Sequence, residues 1–317
     1  MIDRRQFIRP SNIPSLEICP GKALMEARAV DLCQVLGRIE HPQARQGTIG
    51  HAVVAQTLSM IYQTPGGRVP PAEALAKMEG ALAGLEPWSA DAARRCVNYA
   101  VALADREEAA GFAVEVHVEM YLPGAHLGIS RGGTADVVIL CRDPESRRVQ
   151  RVVLQDHKLG WLDQGEAADH KQLWAYAAMA WEKYSPALDL EVHLAQGRRR
   201  DFSAAVFTPA DIQDVAAHVR RIAMDAFGPA PEIRPALEAC RYCRALPFCR
   251  PAREEIMKAI EETALFGIQE EDRVRLAEVA KLAARFAEEV RMLQKEWVAE
   301  IQAGVAELAC RRPLRFW

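Results

Sequence analysis

The sequence has no apolar run near the 18 to 20 residues that a membrane-spanning helix needs, so no span is expected. Its first ten residues, Met1 to Pro10, lack the apolar stretch of a secretory leader. Cysteine is sparse, eight in 317 residues, which excludes a small fold held by disulfides. Charge of one sign is also lacking: 40 basic residues against 43 acidic leave a net charge of −3. That excludes a uniformly basic nucleic-acid-binding coat but leaves room for a local basic groove. No repeat or low-complexity tract is present. A soluble, cytoplasmic protein in a reducing compartment is expected, and there clustered cysteines point to metal ligation.

Half the residues are hydrophobic and 26% are charged, enough to bury a sizeable core. The length suggests roughly two domains. From Gly47 to about Tyr62 a helix is expected, because Val53, Val54, Leu58 and Ile61 recur at helical spacing. Thr64-Pro65-Gly66-Gly67 stops it. A second helix starts near Pro71, and a third runs from Ser89 as N-cap to Gly111 as C-cap.

At Phe112 the period changes to two: Phe112, Val114, Val116, Val118 and Met120 alternate with other residues, as in a strand. Thr134 to Leu140 and Val149 to Lys158 read as two more strands, and the short connections predict an antiparallel meander. A helix over Glu166 to Tyr184 follows, then strands over Leu188 to Ala195 and Phe202 to Phe207. Thr208-Pro209 opens another helix. Pro229, Pro231 and Pro235 make a stiff connector before a long helical C-terminus. The expected fold class is α/β, a mixed sheet flanked by helices with a helical C-terminal extension.

Two segments carry chemistry: Gly132-Gly133-Thr134-Ala135-Asp136 and Asp156-His157-Lys158. Asp156 and Lys158 are two apart on a predicted strand and share a face. Asp136 lies on the preceding strand, within reach of the same spot. Both carboxylates border apolar runs, Val137 to Leu140 and Val152 to Leu154, where a charge needs a partner or a metal. Oxygen ligands suit Mg²⁺ or Mn²⁺, and an ammonium beside them can steer a water and a phosphate. A solvated surface pair is the alternative.

Gly133-x-x-Asp136 followed by Asp156-x-Lys158 resembles the signature of the PD-(D/E)XK nucleases, in particular their RecB-like branch. Gly47-Thr48-Ile49-Gly50-His51 stands where that branch has its histidine helix, and Gln172-Leu173-Trp174-Ala175-Tyr176 where it has Gln-x-x-x-Tyr. The resemblance implies that His51, Asp136 and Asp156 ligate a metal with help from the carbonyl of His157. It implies that Lys158 orients or activates the attacking water, and that Gln172 and Tyr176 position the scissile strand or support the lysine. Glu119 resembles a further acidic position of some relatives. Leu159-Gly160 departs from the Thr-Gly that often follows the lysine.

Cys240-x-x-Cys243-x5-Cys249 is a tight trio, and Cys19 is a better fourth partner than Cys310. The pattern resembles the iron–sulfur nucleases of the AddB-type and CRISPR-adaptation kinds, which implies a [4Fe–4S] cluster as a structural staple. Zn²⁺ would satisfy four thiolates equally well. Cys33, Cys96 and Cys141 read as ordinary buried cysteines. Arg131 and Arg198-Arg199-Arg200 are candidate phosphate contacts. Val279, Ala283, Phe286, Val290, Leu293 and Trp297 form a seam that packs on the body or meets a second copy or a recombination partner.

The layout as a whole resembles a phage-encoded RecB-like family. It implies residues 1–250 as a nuclease domain closed by the cysteines and 251–317 as an extension. The implied function is metal-dependent DNA hydrolysis, exonucleolytic on single strands or ends, in a bacterial or phage-infected cell. A non-catalytic DNA-binding protein on the same scaffold and a zinc-stabilised endonuclease are the competing expectations.

Overall fold

The structure is a computed structural model and describes residues 4–36, 42–64, 67–160, 163–187, 189–241, 243–266 and 273–302. Its helices are α1 (Ile13–Ile18), α2 (Lys22–Leu36), α3 (Pro42–Tyr62), α4 (Pro71–Lys77), α5 (Glu79–Ala83), α6 (Pro87–Ala109), α7 (Lys171–Tyr184), α8 (Pro209–Phe227), α9 (Leu237–Cys240), α10 (Arg250–Phe266) and α11 (Arg273–Gln302). Its strands are β1 (Ala113–Gly124), β2 (Ile129–Arg142), β3 (Val149–His157), β4 (Leu190–Gln196) and β5 (Asp201–Phe207). The contacts divide the chain into two compact units, residues 40–220 and residues 1–39 with 221–317.

The first unit is an α/β structure around a five-stranded mixed sheet in the order β1-β2-β3-β4-β5. The expected meander is present: β1, β2 and β3 pair antiparallel. β4 joins β3 in parallel, which requires a crossover, and α7 supplies it. β5 returns antiparallel to β4. Val137, Ile139 and Cys141 of β2 and Val153 of β3 alternate onto one face, where they meet Val53, Val54, Leu58 and Ile61 of α3 and Cys96, Val97 and Ala100 of α6. α7 packs against β1, β3 and β4 and buries Leu173 and Ala175 to Ala180.

Several boundaries differ from expectation. α3 begins at Pro42. α6 begins at Pro87, not after Ser89, because a proline's fixed φ suits the first helical turn; Ser89 is buried inside the helix. At its far end the C-cap is Ala110, one residue before the expected Gly111, which follows at φ +91°. Glu166 to His170 forms turns, so α7 starts only at Lys171. At α8 the N–H of Asp211 donates to the Thr208 hydroxyl and the Thr208 N–H to the Asp211 carboxylate, a reciprocal cap.

The second unit is helical. The Gly21 N–H donates to the Glu232 carbonyl at 2.7 Å, so the early turn and the proline-rich connector are joined by backbone. A side chain at Gly21 would strike Ile233, so only glycine admits this approach. Val279, Ala283 and Phe286 of α11 pack onto Cys240, Leu246, Cys249, Ala252 and Ile256. The side chains of Leu293 and Trp297, the side chain of Cys33, and Cys310 lie outside the described residues, as do Pro65 and Gly66. Among the described residues no helix is long and apolar enough to cross a membrane.

Candidate functional site

Strand register assembles the acidic residues. Val118 pairs with Val137 and Met120 with Ala135, so Glu119 stands opposite Asp136. Val137 pairs with Gln155; one step beyond that last pair, Asp136 faces Asp156. The three carboxylates form a row across β1, β2 and β3. Glu119 is held at φ +53°, a left-handed conformation in mid-strand that costs about 1–2 kcal/mol for an L-residue. Partial burial pushes its carboxyl up, the Asp136 charge adds to this, and His51 opposes it.

The His157 N–H donates to Asp136 Oδ2 at 2.6 Å, fixing the carboxylate over the Asp156–His157 peptide. His51 comes from α3, with Nδ1 3.8 Å from the same oxygen. Its neighbour Gly50 packs on Leu159, where a Cβ would lie 2.7 Å from the leucine Cδ1, so glycine lets α3 approach the segment after Lys158. His157 Nδ1 is also 3.8 Å from Asp136 Oδ2. Donor atoms of His51, Asp136 and His157 lie within 4.8 Å of one another, a group able to hold a metal ion. Burial, then the nearby His51, lowers the His157 pKa to about 3, which keeps the imidazole neutral with a free lone pair.

A second group adjoins the first. Asp156 is buried, with Oδ2 2.7 Å from Lys158 Nζ. Lys158 lies just past β3, yet its N–H bonds the Ala195 carbonyl at 2.8 Å, so it stays in line with the strand. From α7, Gln172 accepts from Lys158 Nζ at 2.9 Å and donates to Asp156 Oδ1 at 2.9 Å. Tyr176 donates to the Thr134 carbonyl at 2.7 Å, tying α7 to the segment that carries Asp136. Burial and then the Asp156 charge push its phenol up, so it stays a neutral donor.

The residues singled out in the sequence therefore gather, but in two subsets: His51, Asp136 and His157, and Asp156, Lys158, Gln172 and Tyr176. Two features were not legible. One is the imidazole of His157, for which only the carbonyl was expected to act. The other is His170, buried beside the Asp156 and Lys158 charges, its pKa lowered by burial to about 4. The arginines are more engaged than expected. Arg198 stacks its guanidinium 3.5 Å from the Trp88 ring centroid, and Arg199 pairs with Asp163 at 2.8 Å. Arg131 is exposed.

In the helical unit, Cys19, Cys240, Cys243 and Cys249 line one cavity with Lys22, Met25, Ile233, Pro235, Ala239 and Leu246. Burial raises all four thiols, that of Cys240 to about 11. Four cysteine side chains thus line one cavity. Cys96 and Cys141 are fully buried in the sheet unit, as expected, and the six described cysteines are free of disulfides.

A family model described as a protein of unknown function (DUF2800) matches residues 26–311. The chain belongs to the DUF2800 family. Within this DUF2800 chain the match takes in the whole sheet unit and three of the four cavity cysteines, Cys19 lying before it. No curated protein matches the sequence.

Proposed function

We propose that this DUF2800 protein is a divalent-metal-dependent hydrolase of DNA phosphodiesters with a RecB-like PD-(D/E)XK active site, acting on single strands or ends. The observation that carries the reading is the junction of two groups through one peptide: Asp136 bound to the His157 N–H, and Asp156 bound to Lys158 and Gln172. A buried carboxylate–ammonium pair beside a carboxylate–imidazole group can supply the charge and positioning that phosphoryl transfer to water uses. A bound divalent ion would lower the pKa of its water and offset charge on the phosphoryl oxygens. His51, Asp136 and His157 would hold it. Two imidazoles in the set favour Mn²⁺ over Mg²⁺, since nitrogen ligands suit the softer ion.

The remaining roles belong to the chain. Lys158 holds and orients the attacking water and places positive charge near the phosphate. Asp156 fixes the ammonium and, by the resemblance, would add its carboxylate to the metal's ligands. Gln172 sets the rotamers of both, and Tyr176 holds α7 in register with β2. The cysteine cavity holds a tetrathiolate centre in the same reading: a [4Fe–4S] cluster, as in the iron–sulfur nucleases the sequence resembles, or Zn²⁺. Its contribution is to folding, since metal-binding energy at residues so far apart in sequence becomes stability.

The test uses end-labelled single-stranded and duplex DNA, with closed circles as the end-free control, in Mn²⁺, Mg²⁺ or chelator. Metal-dependent products that are lost in Lys158→Ala, with the circular dichroism unchanged, are expected. Binding without products in any metal would replace the hydrolase with a DNA-binding protein on this scaffold.

A further inference from the structure

Lys22 begins α2 and is only 4% exposed, beside the four cysteines. A buried ammonium is unfavourable without an anion. Among the described residues its ammonium has one hydrogen bond, from Nζ to the Ser15 hydroxyl at 2.8 Å, a neutral partner. Among the described residues no carboxylate oxygen comes within 4.0 Å of it. Glu26, one turn further along α2 and also buried, accepts from the Arg244 N–H at 3.2 Å instead. The rest of the cavity wall is apolar: Met25, Ile233, Pro235, Ala239 and Leu246.

We propose that Lys22 is the built-in counter-charge of a dianionic tetrathiolate metal centre. The inference rests on the reading of the cavity given above and adds the electrostatics that cavity demands. Four thiolates carry −4. Either Zn²⁺ or an oxidised [4Fe–4S] core brings +2, so both occupants leave −2 in an apolar pocket. One ammonium halves that charge, and the centre in turn supplies the anion that Lys22 lacks. Lys22 is thus a positioning and tuning residue, not a ligand. The Ser15 hydroxyl, from α1, holds the ammonium by a 2.8 Å hydrogen bond.

The experiment compares the anaerobically purified full chain with Lys22→Met and Lys22→Arg. Iron and zinc per chain are measured by elemental analysis, and metal loss to a chelator is followed in time. The elemental ratio separates the cluster from zinc. Lys22→Met is expected to weaken metal retention about tenfold, as loss of a partner outside the ligand set commonly does, while Lys22→Arg stays near wild type. In an iron protein, Lys22→Met also lowers the reduction potential, because removing a positive charge disfavours the added electron. A merely structural lysine would lower stability without changing metal retention or the reduction potential. Wild-type retention and potential in Lys22→Met, with metal present, would overturn the role of Lys22 alone. A wild-type chain that holds neither iron nor zinc would overturn both the centre and its counter-charge.

Discussion

The ammonium of Lys158 lies 2.7 Å from Asp156 and 2.9 Å from Gln172, and the Gln172 amide returns to Asp156 at 2.9 Å. The three side chains close a ring in which the glutamine donates to the acid and accepts from the base. Lys158 therefore owes its direction to a residue on a different element. Gln172→Ala should lower the DNA cleavage rate about 100-fold, the scale of a misplaced reacting group, with DNA affinity little changed. Single-turnover cleavage and filter binding on the same variant check this; an equal loss of binding would make Gln172 a substrate contact instead.

The imidazole of His157, close to Asp136 and His51, sets a second expectation. His157→Ala keeps the backbone carbonyl and the N–H bond to Asp136 but removes the ring. Mn²⁺ affinity measured by calorimetry should fall by more than about tenfold, the lower range seen for loss of even an outer partner. Unchanged affinity would return the metal contact of this residue to its carbonyl.

Gly132, at φ +60°, precedes the Asp136 segment, and a Cβ there would strike the Leu122 carbonyl oxygen. Gly132→Ala should destabilise the protein by at least about 1–2 kcal/mol, from the left-handed backbone alone. Urea unfolding measures it, and Gly160→Ala, with open space around its Cβ, is the control.

Away from the site, Glu191 accepts from Arg106 and lies 2.7 Å from His193 Nε2, whose Nδ1 meets the Tyr99 hydroxyl at 2.8 Å. Burial raises the Glu191 carboxyl, but the His193 and Arg106 hydrogen bonds outweigh it and bring the pKa to about 2, from an ordinary 4.5. Between those values the unfolded chain takes up the proton first, so stability falls as the pH falls. The contribution is fully present above pH 4.5 and gone below about pH 2. Glu191→Gln should cost about 1.5–3 kcal/mol at neutral pH, and its unfolding curve should converge on wild type across that window. A difference that stays constant with pH would assign the loss to packing.

The sequence by itself determined most of the elements and which residues they carry. The period-two run after Phe112, the short connections between the strands and the helical spacing of Val53, Val54, Leu58 and Ile61 report local preferences and burial, which the chain carries residue by residue. The same logic placed Asp136, Asp156 and Lys158 on neighbouring strands, and it grouped the three clustered cysteines. It could not show that His157 turns its ring toward Asp136, that Lys158 is held by Gln172 on α7, or that Glu119 is bent out of the strand conformation. Nor could spacing reveal Lys22, which comes beside the cysteines only because Gly21 lets the backbone of residues 19–22 reach Glu232. Those relations join residues far apart in the chain, so they depend on how strands register and helices dock. Local propensity is blind to both, because each is fixed by close packing between elements.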